Sequence, residues 1–267
     1  MLGPLRSLVN KAKSATTRPP APFYVAAHER AGSHFVINTL IRNAVVHPEF
    51  YSVSEWKGPY VSGQRDQFRE IDRLTAQWGG FAERFSIIKT HTDRDLFDFR
   101  YPKAKAVYVL RDPRDTLVSY YYFFQYPSFR SHEWAAELEF SSMAEFLRRP
   151  LSQYLRFAYS RRGVAKNVAE RWAHHVKGWL DAPDTVVVRY EELKTDYRRV
   201  LGQLAGFLKL DLLPFASPVG LHDRFSFAPR KGVIGDWRSH FTAEDEALVR
   251  DAVERAGLNW EAVTWRP

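Results

Sequence analysis

The sequence predicts an α/β fold in three layers, a mainly parallel central sheet flanked by helices, on three observations. Four short runs, Phe23 to Ala27, Phe85 to Ile88, Ala106 to Leu110 and Thr185 to Val188, are rich in Val, Ile, Tyr or Phe and apolar on both alternating faces. Strands of a parallel sheet covered on both sides have that character. The segments between them carry apolar residues at helical spacing, and the alternation of the two patterns belongs to a sheet with crossover helices. Several runs also end abruptly in polar residues, at the position where open α/β sheets bind ligands.

The first run passes into His28-Glu29-Arg30-Ala31-Gly32-Ser33 and then into a helix expected over Phe35 to Val46, with Phe35, Val36, Thr39, Leu40 and Ala44 as its apolar residues. This is a P-loop-like phosphate turn after the first strand. A small Gly-containing turn that opens a helix presents backbone N–H groups and a positive dipole end, and Arg30 adds a guanidinium. An ordinary β-α turn is the competing reading.

The second run leads into Lys89-Thr90-His91. A histidine has an ordinary pKa near 6.5 and can take a proton from a hydroxyl, while Lys89, on the same face of an extended chain, can stabilise developing charge. A structural histidine is the alternative. The third run leaves the sheet through Arg111-Asp112-Pro113-Arg114-Asp115. Asp112 as N-cap and Pro113 at the first helical position predict a helix running into Tyr120 to Phe124. Ser119 then lies about two turns beyond the cap on the same side, and Arg111 and Ser119 can both donate to one phosphate.

Further on, Tyr197 to Leu208 reads as a helix with Val200, Leu201, Leu204, Ala205 and Leu208 inward. Thr242-Ala243-Glu244-Asp245 caps a last helix that stops at Gly257. Residues 111 to 184 are far more than a simple crossover needs and read as a mostly helical insertion. Pro214 to Pro229 reads as a covering loop, followed at once by Arg230-Lys231-Gly232.

Composition bounds the rest. With 45% hydrophobic residues in 267, a sizeable core is expected, and the chain divides into a flexible basic segment, residues 1–21, and one domain, residues 22–267. Lys and Arg number 39 against 31 Asp and Glu, a net charge of +8 that favours anionic ligands. The absence of cysteine excludes disulfides, thiolate catalysis and cysteine-bound metals. No run of about 18 apolar residues offers a membrane span, and the start lacks the apolar core of a secretory signal, so a cytoplasmic enzyme is expected.

Taken in order, these motifs resemble the PAPS-dependent sulfotransferase family, the cytosolic-type sulfotransferase domain. Val107 to Tyr121 is similar to its 3′-phosphate signature, R-[ND]-P-[KR]-D-x-x-x-S-x-Y after a strand. Arg30 to Phe35 is similar to its 5′-phosphosulfate loop, P-K-S-G-T-T-W, and Lys89-Thr90-His91 matches its K-T-H. Trp172 to Trp179, Val188 to Lys194 and Arg230 to Arg238 continue the likeness over about residues 22 to 257.

The resemblance implies a transferase that moves the sulfuryl group of PAPS (3′-phosphoadenosine 5′-phosphosulfate) in line to a hydroxyl, or an amine, of a small-molecule acceptor. PAP (3′,5′-bisphosphoadenosine) is the product, and no metal is needed. It makes His91 the general base and Lys89 a stabiliser of the sulfuryl group. Arg30 stands for the lysine at the bridging oxygen and 5′-phosphate, with Ala31, Gly32, Ser33 and His34 in the 5′-phosphate loop and Phe35 in place of the tryptophan stacked on adenine. Arg111, Ser119, Arg230, Lys231 and Gly232 surround the 3′-phosphate, and Tyr190 approaches the adenine.

The sequence departs from the pattern at Arg30, since a planar fork does not replace a compact ammonium, and at Ala31 and His34, which replace hydroxyl residues. The family's dimer pattern, K-x-x-x-T-V-x-x-x-E, is met at Arg238 and Thr242 but not at Ala243 and Ala247, leaving the oligomeric state open. Phe123, Phe124, Tyr126, Phe129, Trp134 and Phe140 either line an aromatic acceptor pocket or pack the core. Two alternatives stand beside the enzyme: a nucleotide kinase with a degenerate phosphate loop, against which the missing Gly-Lys-Ser/Thr speaks, and a non-catalytic polyanion binder. No nucleic-acid partner is expected, because the basic residues concentrate at nucleotide-type motifs.

Overall fold

Strand β1 (Phe23–Ala27) is buried along its whole length and forms the centre of a five-stranded sheet. The computed structural model describes residues 21–52, 85–94, 105–126, 139–150, 165–214, 217–220 and 230–266. With β2 (Phe50–Ser52), β3 (Ile87–Thr90), β4 (Ala106–Leu110) and β5 (Thr185–Arg189), the order is β2-β3-β1-β4-β5, every pair parallel. Thr90 of β3 pairs with Ala26, and Val109 of β4 pairs with Ala27. The chain therefore leaves β1, β3 and β4 at one edge of the sheet, and β1 lies between the two strands that follow it in opposite directions, a topological switch point.

All four expected runs become strands, with two adjustments. Pairing in β3 covers Ile87–Thr90 instead of Phe85 to Ile88, so Lys89 sits inside the strand. Burial on both faces holds for β1, β3 and β4 but not for β5, where Val187 is 39% exposed, because β5 is an edge strand. The fifth strand, β2, is three half-exposed residues at the other edge and leaves no period in the sequence to detect.

The helices among the described residues are α1 (Ser33–Asn43), α2 (Pro113–Phe124), α3 (Met143–Arg148), α4 (Val168–Leu180), α5 (Tyr190–Thr195), α6 (Tyr197–Leu208), α7 (Ala243–Arg255) and α8 (Trp260–Val263), with a 3₁₀ turn at Asp236–Ser239. Asp112 caps α2 by accepting the Arg114 N–H, with Pro113 in the first turn as the sequence expects. Thr242 and Asp245 form a reciprocal capping box on α7. That engagement ties Thr242, one of the two matches to the dimer pattern, to the chain's own helix. α1 starts earlier than its apolar spacing suggests and ends at Asn43, because Ala44 is extended and bridges to Leu212.

Strand alternation sorts the core into two layers. Tyr24, Ala26, Tyr108 and Leu110 pack with Trp172, Val176 and Trp179 of α4 and Val249 of α7. Val25, Ala27, Val107 and Val109 pack with Ile37 and Leu40 of α1 and Leu201 and Leu204 of α6. The helical insertion after β4 supplies α2, α3 and α4. The basic N-terminal segment, Phe129, Trp134 and most of the covering loop lie outside the described residues.

Candidate functional site

Everything the motifs single out comes to the edge where β1, β3 and β4 end. After β1 the backbone turns through two left-handed residues, Arg30 at φ 67° and Gly32 at φ 104°. Glycine is required at the second. A Cβ on Gly32 would lie 2.5 Å from Tyr190 Cδ2, so the tyrosine ring after β5 occupies the space of a side chain. Ser33 and His34 open α1, whose first N–H groups have no intrahelical acceptor. Ala31 differs, because its N–H donates to the His28 carbonyl at 3.1 Å and is engaged within the turn. Phe35 meets the Tyr190 ring at 5.5 Å, tilted 56°, giving two aromatic faces beside the turn.

Three arginines gather next to it. Arg111, buried at the end of β4, donates through Nη1 to the Arg30 carbonyl and through Nη2 to the Val233 carbonyl, each at 3.2 Å. Its guanidinium lies 4.6 Å from the centre of the Tyr190 ring. Arg30 donates from Nε to Ser119 Oγ at 3.4 Å. Burial first, then the Arg111 charge, lowers its pKa to about 10, with Arg230 adding to the effect, so it stays a cation at neutral pH. Arg230 ion-pairs with Asp236 and lies 5.1 Å from the Tyr122 ring centre, and exposed Lys231 reaches the other oxygen of Asp236 at 3.3 Å. The Gly232 carbonyl accepts the Tyr190 hydroxyl at 3.0 Å and the Lys194 ammonium.

Sequence reasoning missed what holds this segment in place. Asp115 of α2 accepts the Gly235 N–H at 2.7 Å and the Trp237 N–H at 3.0 Å. Arg114 bonds Asp112, pairs with Glu246 at 2.6 Å and stacks 3.8 Å from the Trp237 ring centre. The sequence shows Arg114 and Asp115 as helix-start residues and as part of the 3′-phosphate signature, and neither reading points to the distant Gly235, Trp237 and Glu246.

On the other side of β1, His91 Nδ1–H donates to the Ala27 carbonyl at 2.7 Å. A carbonyl only accepts, so the tautomer is fixed and Nε2 carries the lone pair, to which Lys89 Nζ donates at 2.8 Å. Burial, then Lys89, holds the His91 pKa well below 6.5, leaving a neutral imidazole. Behind it, His175 Nε2–H donates to the His91 carbonyl at 3.1 Å while its Nδ1 accepts the Tyr108 hydroxyl at 2.9 Å. His28 Nδ1–H donates to the Glu29 carbonyl at 2.9 Å, its Nε2 accepts from Arg171 at 2.7 Å, and Arg171 pairs with Glu29 at 2.7 Å. His175, one turn into the Trp172 to Trp179 segment, was visible only as a polar residue on an apolar helix face.

His34 lies against Phe50 at 5.7 Å, its ring turned toward β2. Phe124 is 2% exposed and meets Tyr120 at 4.6 Å, Phe140 at 5.9 Å and Phe146 at 6.0 Å; it is core, not pocket wall. Phe123 faces the Arg30 guanidinium at 5.0 Å.

The family model described as "Sulfotransferase domain" matches residues 81–227. The chain belongs to the sulfotransferase family. It is 25% identical over 227 residues to 3-alpha-hydroxysteroid sulfotransferase of Cavia porcellus, covering 70% of this chain and 72% of that one. To sulfotransferase 2A1 of Mus musculus it is 30% identical over 191 residues, 61% of this chain and 60% of that one. Its fold is similar to that of mouse sulfotransferase SULT7A1 complexed with PAP, at TM-score 0.59 and 20% identity over 94% of this chain and 90% of that one. The family transfers sulfuryl groups from PAPS, and the chain is accordingly a PAPS-dependent transferase.

The sulfotransferase site suits a bisphosphate on its own chemistry. Arg111 Nε and Arg230 Nε are buried donors without a hydrogen-bond partner, and donors left over inside a fold are what an anion satisfies. The cradle at Gly32 gives a second anion position at a helix start. Among the described residues no group of three or more His, Asp or Glu converges on a metal position, and no helix is long and apolar enough to cross a membrane.

Proposed function

We propose that this sulfotransferase moves the sulfuryl group of PAPS in line to a hydroxyl of a small acceptor, releasing PAP, with His91 as the base. The observation that carries the reading is the fixed His91 tautomer, with a lone pair on Nε2 and the Lys89 ammonium on that same atom at 2.8 Å. The acceptor proton passes to Nε2 as the acceptor oxygen forms its bond to sulfur and the bond from sulfur to the 5′-phosphate oxygen breaks. Nε2 cannot hold both the proton and the Lys89 bond. Lys89 therefore turns to the oxygens of the group in transfer, where its charge is needed at that moment. As in phosphoryl transfer, position and charge do most of the work.

Gly32, Ser33 and His34 hold the 5′ end at the start of α1, and Phe35 and Tyr190 flank the adenine. Arg111, Ser119, Arg230, Lys231 and Gly232 hold the 3′-phosphate, a role supported by the orphan Nε donors on two of them. A hydroxyl acceptor is supported by the guinea-pig relative, whose name makes hydroxysteroids its substrates. Labelled PAPS offered with hydroxysteroids, phenols, sugars, amines and peptides tests the reading. Label transfer to a hydroxyl compound is expected, and failure of every acceptor together with no calorimetric binding of PAP would sink it.

A further inference from the structure

The family pattern has a lysine where Arg30 stands, and the resemblance assigns that position to the 5′ end of the nucleotide. The structure sends the side chain elsewhere. Arg30 Nε donates to Ser119 Oγ at 3.4 Å, and the guanidinium lies 5.0 Å from the centre of the Phe123 ring. Ser119 and Phe123 are one turn apart on α2, so the Arg30 head group lies along that helix face, on the side the 3′-phosphate signature supplies. Its own carbonyl is held by Arg111 Nη1 at 3.2 Å, which keeps the turn and the end of β4 together. Arg111 and Arg230, the other two arginines here, each keep a buried Nε donor without a partner.

We propose that Arg30 is a specificity-determining residue for the 3′-phosphate, completing with Arg111, Ser119 and Arg230 a pocket that reads the bisphosphate against a nucleotide phosphorylated only at the 5′ position. The inference rests on the PAP-binding reading above. A guanidinium has five N–H donors and can serve a serine hydroxyl and an anion together, whereas a lysine in the same place acts as a point charge. The 5′ end is then left to the backbone at Gly32 to His34 and to Lys89. A dianion among these guanidinium groups would offset their mutual repulsion.

Calorimetric affinities for PAP and for adenosine 5′-monophosphate, measured on the wild-type chain, Arg30→Ala and Arg30→Lys, test this. The preference for PAP, the ratio of the two dissociation constants, should fall by about tenfold in Arg30→Ala, the scale of one charge-assisted hydrogen bond. It should fall by a smaller factor in Arg30→Lys, with affinity for the monophosphate nearly unchanged in both. Equal loss for both nucleotides would return Arg30 to the 5′ end and overturn the proposal, as would tighter PAP binding in either variant, which would make Arg30 a plug in the pocket. If Arg30→Ala does not fold, Arg30→Lys decides alone. A wild-type chain that binds no PAP refutes the underlying reading, whereas wild-type binding with an unaltered ratio in the variants refutes only this inference.

Discussion

Two clusters of buried polar side chains flank β1, and they handle charge in opposite ways. On the α2 side Arg30, Arg111 and Arg230 crowd together, with unsatisfied Nε donors on the last two, and Arg30 stays a cation at neutral pH although burial, then Arg111, lowers its pKa to about 10. Around His91 the three histidines, His28, His91 and His175, have both ring nitrogens bonded and pKa values held well below 6.5, by burial first in each case. Burial removes the proton from an imidazole because its neutral form is close in energy, and a guanidinium has no such exit. On the proposed function, the fold obtains an anion receptor and a base from the same edge of one sheet by a choice of residue type.

If that division is right, the largest effect falls on the histidine side. Replacing His91 with Ala should lower turnover by about 10²- to 10⁴-fold in a PAPS transfer assay while PAP affinity by calorimetry stays within about threefold. Near-normal turnover would remove the base from the histidine cluster. Arg171→Met comes next, because it strands the buried Glu29 carboxylate. Denaturant melts should show a loss of about 3–5 kcal/mol, and the paired change with Glu29→Gln should recover part of it.

On the arginine side, Arg111→Ala should weaken PAP binding by about 10- to 100-fold and leave the pH profile of turnover in place; unchanged affinity would end its phosphate role. The last effect is on stability against pH. The three histidines are neutral in the fold, whereas the unfolded chain takes up protons below the ordinary value of 6.5. Their contribution is therefore complete above pH 6.5 and is lost as pH falls from there toward the folded values. The melting temperature should drop by about 4 °C or more between pH 7.5 and pH 5.5, and a flat profile would show that the three histidines take up protons in the native state as readily as in the unfolded chain.

The sequence announces the arginine side far better than the histidine side. Arg111, Ser119, Arg230 and Lys89-Thr90-His91 stand in short motifs beside strand ends, where local spacing is enough to find them. Buried apolar strands and capped helices are equally local signals, which is why α2, α6 and the capping box of α7 were legible. His28, Arg171, Tyr108 and His175 meet only through the crossing of α4 over the sheet, and nothing local marks a pair such as Glu29 with Arg171. The direction of the Arg30 side chain was invisible for the same reason, since Ser119 and Phe123 belong to a helix that tertiary packing brings alongside. β2 was missed because three half-exposed edge residues carry no pattern.

The two bonds from the Gly235 and Trp237 amides to Asp115 have a consequence for biosynthesis. They join a helix made before the middle of the chain to a segment near its end, and Arg230-Lys231-Gly232, the proposed wall of the nucleotide pocket, arrives with that segment. A polypeptide still emerging from the ribosome can lay down β1, β3, β4 and β5 in order, yet has no complete nucleotide pocket until the segment containing Gly235 is clear of the exit tunnel. On that assignment nucleotide stabilises a chain that is already almost finished, not its early folding steps.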